Sequence, residues 1–217
     1  MHGYLSNKES FYYQTEYFSS FRRVIAVDIT GFGKSKSLPF AYSIKDYAKD
    51  IIKVLRELGV DKYDLIAHSF GGRIGVKLIS LGEKIDKLVL TGSAGLKPKR
   101  SLKYYFKVYG YKAIKPFLTK KARLKFGSSE LKMLSGNMRS SYYKIVNEHL
   151  DSEVKNIKNQ TLLVFGENDK ETPLYMAKKF NKYIVNSHLY VIKNAGHFCF
   201  NEKDREFNTI VNEFLRR

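Results

Sequence analysis

The sequence predicts an α/β fold: a mostly parallel sheet with helices on both faces and a helical lid inserted between strands. Two observations predict it. Short β-rich apolar runs alternate with helical patterns over most of the chain, the rhythm of strands joined by crossover helices. That rhythm stops once, between Ser93 and about Asn159, where the composition turns to Lys, Tyr and Phe and no strand stands out. The 217 residues, 43% hydrophobic and 28% charged, suit one domain with a sizeable core.

Taken in order, Arg23-Val-Ile-Ala-Val-Asp28 reads as a buried strand that ends in a polar loop. Ser43 and Asp46 have capping-box spacing, with Asp in place of the usual Glu or Gln. Behind them Tyr47, Ile51, Val54, Leu55 and Leu58 fall on one helical face, and Gly59 ends that helix. Tyr63 to His68 is the next strand, and Arg73 to Leu81 a helix closed by Gly82. Lys87–Thr91, Thr161–Phe165 and His188–Ile192 are further strands, and Glu206 to Leu215 closes the chain as an amphipathic helix. The domain reading is therefore a core of residues 1–93 and 160–217 and an inserted helical lid over 94–159, a length of insertion that usually has a function.

The net charge of +18 raises nucleic acid, an anionic surface or an acidic substrate. Lysines scattered over solvated faces account for much of it, and with no zinc-finger, RRM or KH signature no nucleic-acid partner is expected. Within the lid, eleven basic residues from Lys97 to Lys125 run without an acidic one, interleaved with aromatics. They read either as a solvated face over an aromatic core or as a lure for an anionic substrate, acyl carrier or lipid. Cys199 is the single cysteine, so no intrachain disulfide forms, and a cytoplasmic location is expected. No apolar run reaches the length of a membrane span, and residues 1–14 lack the apolar core of a signal peptide.

The sharpest chemical signal is Leu65-Ile-Ala-His-Ser-Phe-Gly-Gly72. An apolar strand runs into a serine flanked by small residues, and a helix follows. A serine on such a turn is strained and exposes its hydroxyl, while small neighbours two positions away relieve the crowding. Ala67 stands where the G-x-S-x-G pattern has its first glycine. The plainer reading is a helix-capping serine. Two other loops favour a nucleophile: Asp169 follows the strand ending at Phe165, and His197 follows the one ending at Ile192. Catalytic groups gather at that end of open parallel sheets.

The order Ser69, Asp169, His197 resembles the α/β-hydrolase family, in its lid-bearing esterase, lactonase and C–C hydrolase branch, and the resemblance runs from His2 to the C-terminus. It implies that His2-Gly3 is the family's His-Gly loop, with the N–H of Tyr4 as one oxyanion donor and that of Phe70 as the other. Val27-Asp-Ile-Thr-Gly-Phe-Gly-Lys-Ser35 is similar to the family's D-x-x-G-x-G-x-S loop. It further implies a Ser69–His197–Asp169 triad that cleaves a carboxylic ester or related acyl bond of a small molecule, with no cofactor and no metal. Imidazoles ordinarily titrate near neutral pH, which suits a general base.

Several rivals are weaker. Gly33-Lys34-Ser35 lacks the upstream glycine of a phosphate loop, because position 28 is Asp. Asp28 itself reads as a loop carboxylate, His68 as a packing residue, and Cys199 as buried filler; His149 and His188 have no metal spacing. A different class of reading is a non-catalytic or shortened binding protein. The family's His-Gly loop follows a strand lying between those that end near Asp28 and at His68. With Met1 directly before His2, a gap at that place and a product that begins further upstream are the expectation.

Overall fold

The computed structural model describes residues 1–99, 134 and 136–217. Among them lies a four-stranded, fully parallel sheet: β1 (Tyr63–His68), β2 (Ile85–Thr91), β3 (Gln160–Gly166) and β4 (Ser187–Ile192), in that spatial order. The registers run Ala67 with Leu90, Leu90 with Leu163, and Leu163 with Leu189. Successive side chains of a strand point to opposite faces, and here both faces are apolar. Leu88, Leu90, Leu163 and Phe165 enter one buried cluster, while Val89, Leu162 and Val164 enter another. That arrangement requires helices on both sides, as the alternating sequence predicts.

One cluster is roofed by α2 (Ile44–Glu57), α3 (Phe70–Ser80) and α6 (Leu174–Tyr183); the other by α1 (Tyr12–Ser19), α7 (Cys199–Glu202) and α8 (Asp204–Arg216). The capping box on α2 is complete: Ser43 Oγ accepts from the Asp46 N–H, and the Asp46 carboxylate accepts from the Ser43 N–H. Gly59 then takes φ +64 and stops the helix, a conformation that side chains resist. The described part of the 94–159 insertion is helical, with α4 (Gly136–Asn147) and α5 (Asp151–Lys155). Of its basic run, only Lys97 and Lys99 are among the described residues; the other nine, from Arg100 to Lys125, lie outside them. No helix among the described residues is long and apolar enough to cross a membrane.

Two expectations are corrected. Residues 23–28 form no strand. Val24 and Ile25 are 37% and 36% exposed, and Val24 to Val27 make no main-chain hydrogen bond with any described residue. A strand exists only through its partners, and the space between this segment and β1 is open rather than closed up. The helix after Ser69 begins at Phe70, three residues before the predicted start, because Gly71 and Gly72 continue it. A Cβ on Gly71 would sit 2.6 Å from the Met1 carbonyl oxygen, and one on Gly72 would strike the Ser93 side chain. These glycines allow close packing and do not break the helix.

Candidate active site

Three loops leave the carboxyl ends of β1, β3 and β4 and bring Ser69, Asp169 and His197 to the carboxyl end of the sheet. Ser69 joins β1 to α3 with φ +50 and ψ −109, a strained conformation for a residue with a side chain. It is held there by its own N–H, which donates to the Thr91 carbonyl at 3.1 Å, and by its carbonyl, which accepts from Gly72 and Ala94. Such strain costs on the order of 1–3 kcal/mol and persists only where surrounding bonds impose it. As the first residue of α3, Phe70 carries an N–H with no partner inside the helix. A Cβ on Gly3 would lie 3.4 Å from Ser69 Cβ, so the His2–Tyr4 loop passes directly beside the serine.

His197 Nδ1 donates to Asp169 Oδ2 at 2.9 Å, and the Asp169 carboxylate is fully enclosed. A buried carboxylate needs donors for all its lone pairs. Asp169 Oδ1 receives the N–H groups of Glu171 and Thr172, and Oδ2 also receives the Thr172 hydroxyl at 2.7 Å. Burial by itself would raise the carboxyl pKa, but the His197 bond and the Thr172 bonds outweigh it and hold the group below its ordinary range. A Cβ on Gly92 would lie 3.1 Å from His197 Nδ1, so only glycine lets β2's exit pass that close. Among the described residues Ser69 Oγ has no hydrogen bond to His197; a bond between a nucleophile and its base is often long until substrate is in place.

His68 shows why the residue before the serine packs and does not react. Its Nε2 donates to the His197 carbonyl at 3.1 Å, and its ring centroid lies 4.6 Å from that of His197. His2 ties two loops together: Nδ1 donates to the Gly3 carbonyl at 2.8 Å and Nε2 accepts from the Ile29 N–H at 3.0 Å. That pairing is possible only for the neutral ring with its proton on Nδ1. Asp28, one residue earlier, accepts from the N–H groups of Lys8 and Lys34, and a Cβ on Gly33 would collide with its carboxylate. It shapes the loop, as expected. Cys199 is buried, 3.3 Å from Thr91 Oγ1, and burial pushes its thiol up to about 11. His188 is exposed on β4, and among the described residues no cluster of His, Cys, Asp and Glu could hold a metal.

Burial lowers His2 to about 4 and His68 to about 3, so both are neutral in the folded protein at pH 5 to 7. In the unfolded chain each takes up a proton near pH 6.5. Below that pH the unfolded state binds more protons, and stability falls with pH until the folded-state values are reached. From pH 7 to pH 5 the two together remove about 4 kcal/mol. Urea midpoints at pH 7, 6 and 5 measure this; an unchanged midpoint contradicts it.

Sequence reasoning missed four contributors. Thr172 braces the Asp169 carboxylate from within the same loop. Arg73, on α3, donates to the carbonyls of Ile145 and Glu148 and so caps the end of α4, while Lys77, one turn on, pairs with Glu148 and Glu153. Tyr142 of α4 packs on Tyr4 at 5.4 Å, which is joined by Phe32 and Phe70 in an aromatic wall beside the serine. Thr172 carried a signal, since a threonine three residues past a loop Asp can donate back to it. Arg73 and Tyr142 carried none.

Residues 1–144 match the family model described as alpha/beta hydrolase fold, and residues 140–217 match one described as TAP-like protein. The chain is 25% identical to a 2-hydroxy-6-oxo-2,4-heptadienoate hydrolase of Pseudomonas putida, over 91% of this chain and 79% of that one. It is 28% identical to a 2-hydroxy-6-oxononadienedioate/2-hydroxy-6-oxononatrienedioate hydrolase of Escherichia coli, over 90% and 77%. Among solved structures, an esterase from Exiguobacterium antarcticum superposes with a TM-score of 0.79 at 22% identity, covering 100% of this chain and 90% of that one. The family match, the parallel sheet and the three strand-end loops agree: the chain belongs to the α/β-hydrolase family and is a hydrolase of that fold.

Proposed function

We propose that this protein is a serine hydrolase that cleaves a carboxylic ester or related acyl bond of a small molecule through an acyl-enzyme intermediate. The observation that carries the proposal is the enclosed Asp169–His197 pair at 2.9 Å, at the same carboxyl end of the sheet as a serine held at positive φ. With Asp169 accepting at Nδ1–H, His197 keeps its Nε2 lone pair free to take the Ser69 proton. Ser69 Oγ then attacks the acyl carbon, and the resulting oxyanion is met by the N–H groups of Phe70 and Tyr4. The imidazolium returns its proton to the leaving group. A water, deprotonated by the same imidazole, then releases the acid and restores the serine. A binding protein that merely kept the pocket has no use for a carboxylate enclosed by four donors.

The relatives' names describe small unsaturated oxo-carboxylates, which supports an anionic substrate for this chain, and the net charge of +18 would draw one in. The helical lid over 94–159 would shape the pocket: α4 leans on Tyr4, and Arg73 and Lys77 hold its far end. Stopped-flow hydrolysis of p-nitrophenyl butyrate tests the mechanism. A burst of nitrophenol, one per protein, followed by saturable turnover is expected; release at the buffer rate contradicts the proposal. Thr172→Val keeps the shape and removes one donor to Asp169. It is expected to lower kcat about tenfold with KM little changed, since a bond to a charged group contributes about 1.5–3 kcal/mol. Wild-type kcat in this variant would remove Thr172 from the assembly.

A further inference from the structure

The loop between β4 and α7 carries His197, and its main chain is gripped at four successive residues. The Asn194 N–H donates to Glu167 Oε2 at 3.1 Å, and the Ala195 carbonyl accepts from the Asn168 N–H at 2.8 Å. Both partners belong to the loop that carries Asp169. The Gly196 N–H donates to Glu202 Oε2 at 2.7 Å, and the His197 carbonyl accepts from His68 Nε2 at 3.1 Å. Donor and acceptor thus alternate along the run, and each has a partner. Asn194 enters it at φ +54, a conformation that a residue with a side chain keeps only where its surroundings impose it. Left to water, such a loop would be free to move, and His197 with it.

The shortest of the four bonds falls on the residue next to His197. Glu202 closes α7 and is exposed, so its side chain gives the core little. Its other oxygen stands beside the same residue: a Cβ on Gly196 would lie 3.2 Å from Glu202 Oε1. The carbonyl side of Gly196 is closed as well, since a Cβ on Gly166 would collide with the Gly196 carbonyl. Gly196 is therefore held between the end of β3 and α7, and the imidazole that follows it meets Asp169 Oδ2 at 2.9 Å. We propose that Glu202 is a positioning residue for the base: by holding the Gly196 N–H it fixes where His197 Nε2 stands relative to Ser69. The proposal rests on the Ser69–His197 mechanism above. A misplacement of ~1 Å costs on the order of 10²-fold in rate, so a bond that removes part of that freedom is worth about tenfold. A purely structural bond shows in stability. A positioning bond shows in kcat with KM preserved, because the base acts in the transition state and not in binding.

The test compares Glu202→Ala, Glu202→Gln and, as a control, Glu206→Ala, which removes the carboxylate that accepts from the Tyr190 hydroxyl. Turnover of p-nitrophenyl butyrate, urea unfolding and proton NMR are read for each intact protein. The NMR signal is the far-downfield resonance of the His197 Nδ1 proton, assigned by its loss in His197→Ala. In Glu202→Ala, kcat is expected to fall about tenfold or more with KM within about twofold. The downfield resonance should broaden through faster exchange with water, at an unchanged urea midpoint. Gln offers an oxygen at the same reach and should restore both, and Glu206→Ala should leave both unchanged. Wild-type kcat and resonance in Glu202→Ala would overturn the proposal. So would equal losses in Glu202→Gln, which would make the charge and not the bond the cause, or losses that follow a lowered urea midpoint, which would make the role structural. If the wild type itself gives no burst, the acyl-enzyme mechanism fails, and the resonance alone still decides whether Glu202 holds the Asp169–His197 pair.

Discussion

Ser69→Ala is expected to abolish the nitrophenol burst and to lower kcat by about 10⁶, the scale found when a triad serine is removed from another fold. The residual rate would reflect what the Phe70 and Tyr4 N–H groups do for a bound substrate attacked by water. The fold should survive. The bonds that impose the turn come from main-chain groups of residue 69, to Thr91, Gly72 and Ala94, and alanine bears the same Cβ. The variant should therefore unfold at the same urea concentration as the wild type, so that lost turnover reports lost chemistry. A variant that keeps both burst and stability would show that another group accepts the acyl.

Asp169→Asn has the next largest effect, about 10⁴ in kcat by analogy with another triad. The hydrogen bonds fix why. Oδ1 receives two main-chain N–H groups, so the amide oxygen of Asn must stay on that side and its NH2 must face His197 and Thr172. Thr172 can rotate its hydroxyl to accept, but His197 Nδ1 can accept only by giving up its proton to Nε2. The ring then meets Ser69 with an N–H and has no lone pair for the serine proton. KM should change little, because the substrate does not touch Asp169. A loss confined to KM would mean that the carboxylate orders the pocket instead.

The candidate site was legible in the sequence because its chemistry sits at strand ends, and strand ends are marked locally. An apolar run followed by Ser69 between small residues, or by Asp169 or His197 in a polar loop, is visible in a window of ten residues. The segment at 23–28 is the counterexample. Val24-Ile-Ala-Val27 has the composition of a strand, yet it makes no main-chain hydrogen bond with any described residue, since pairing depends on a neighbour that local sequence does not encode. The start of α3 was misread for a related reason: Gly71 and Gly72 look like breakers until the Met1 carbonyl and Ser93 are seen against them. The neutral tautomer of His2 and the clamp of Arg73 on α4 likewise join residues far apart in the chain, 27 positions for His2 and Ile29. No periodicity announces such contacts.

The central claim is that Ser69 is a nucleophile activated by His197. Mass spectrometry of the protein after reaction with a fluorophosphonate measures it most directly. The proposed mechanism predicts one adduct per chain, on the peptide that contains Ser69, forming orders of magnitude more slowly in His197→Ala and not at all in Ser69→Ala. An adduct on another residue, or labelling of Ser69 at an unchanged rate without His197, would contradict it.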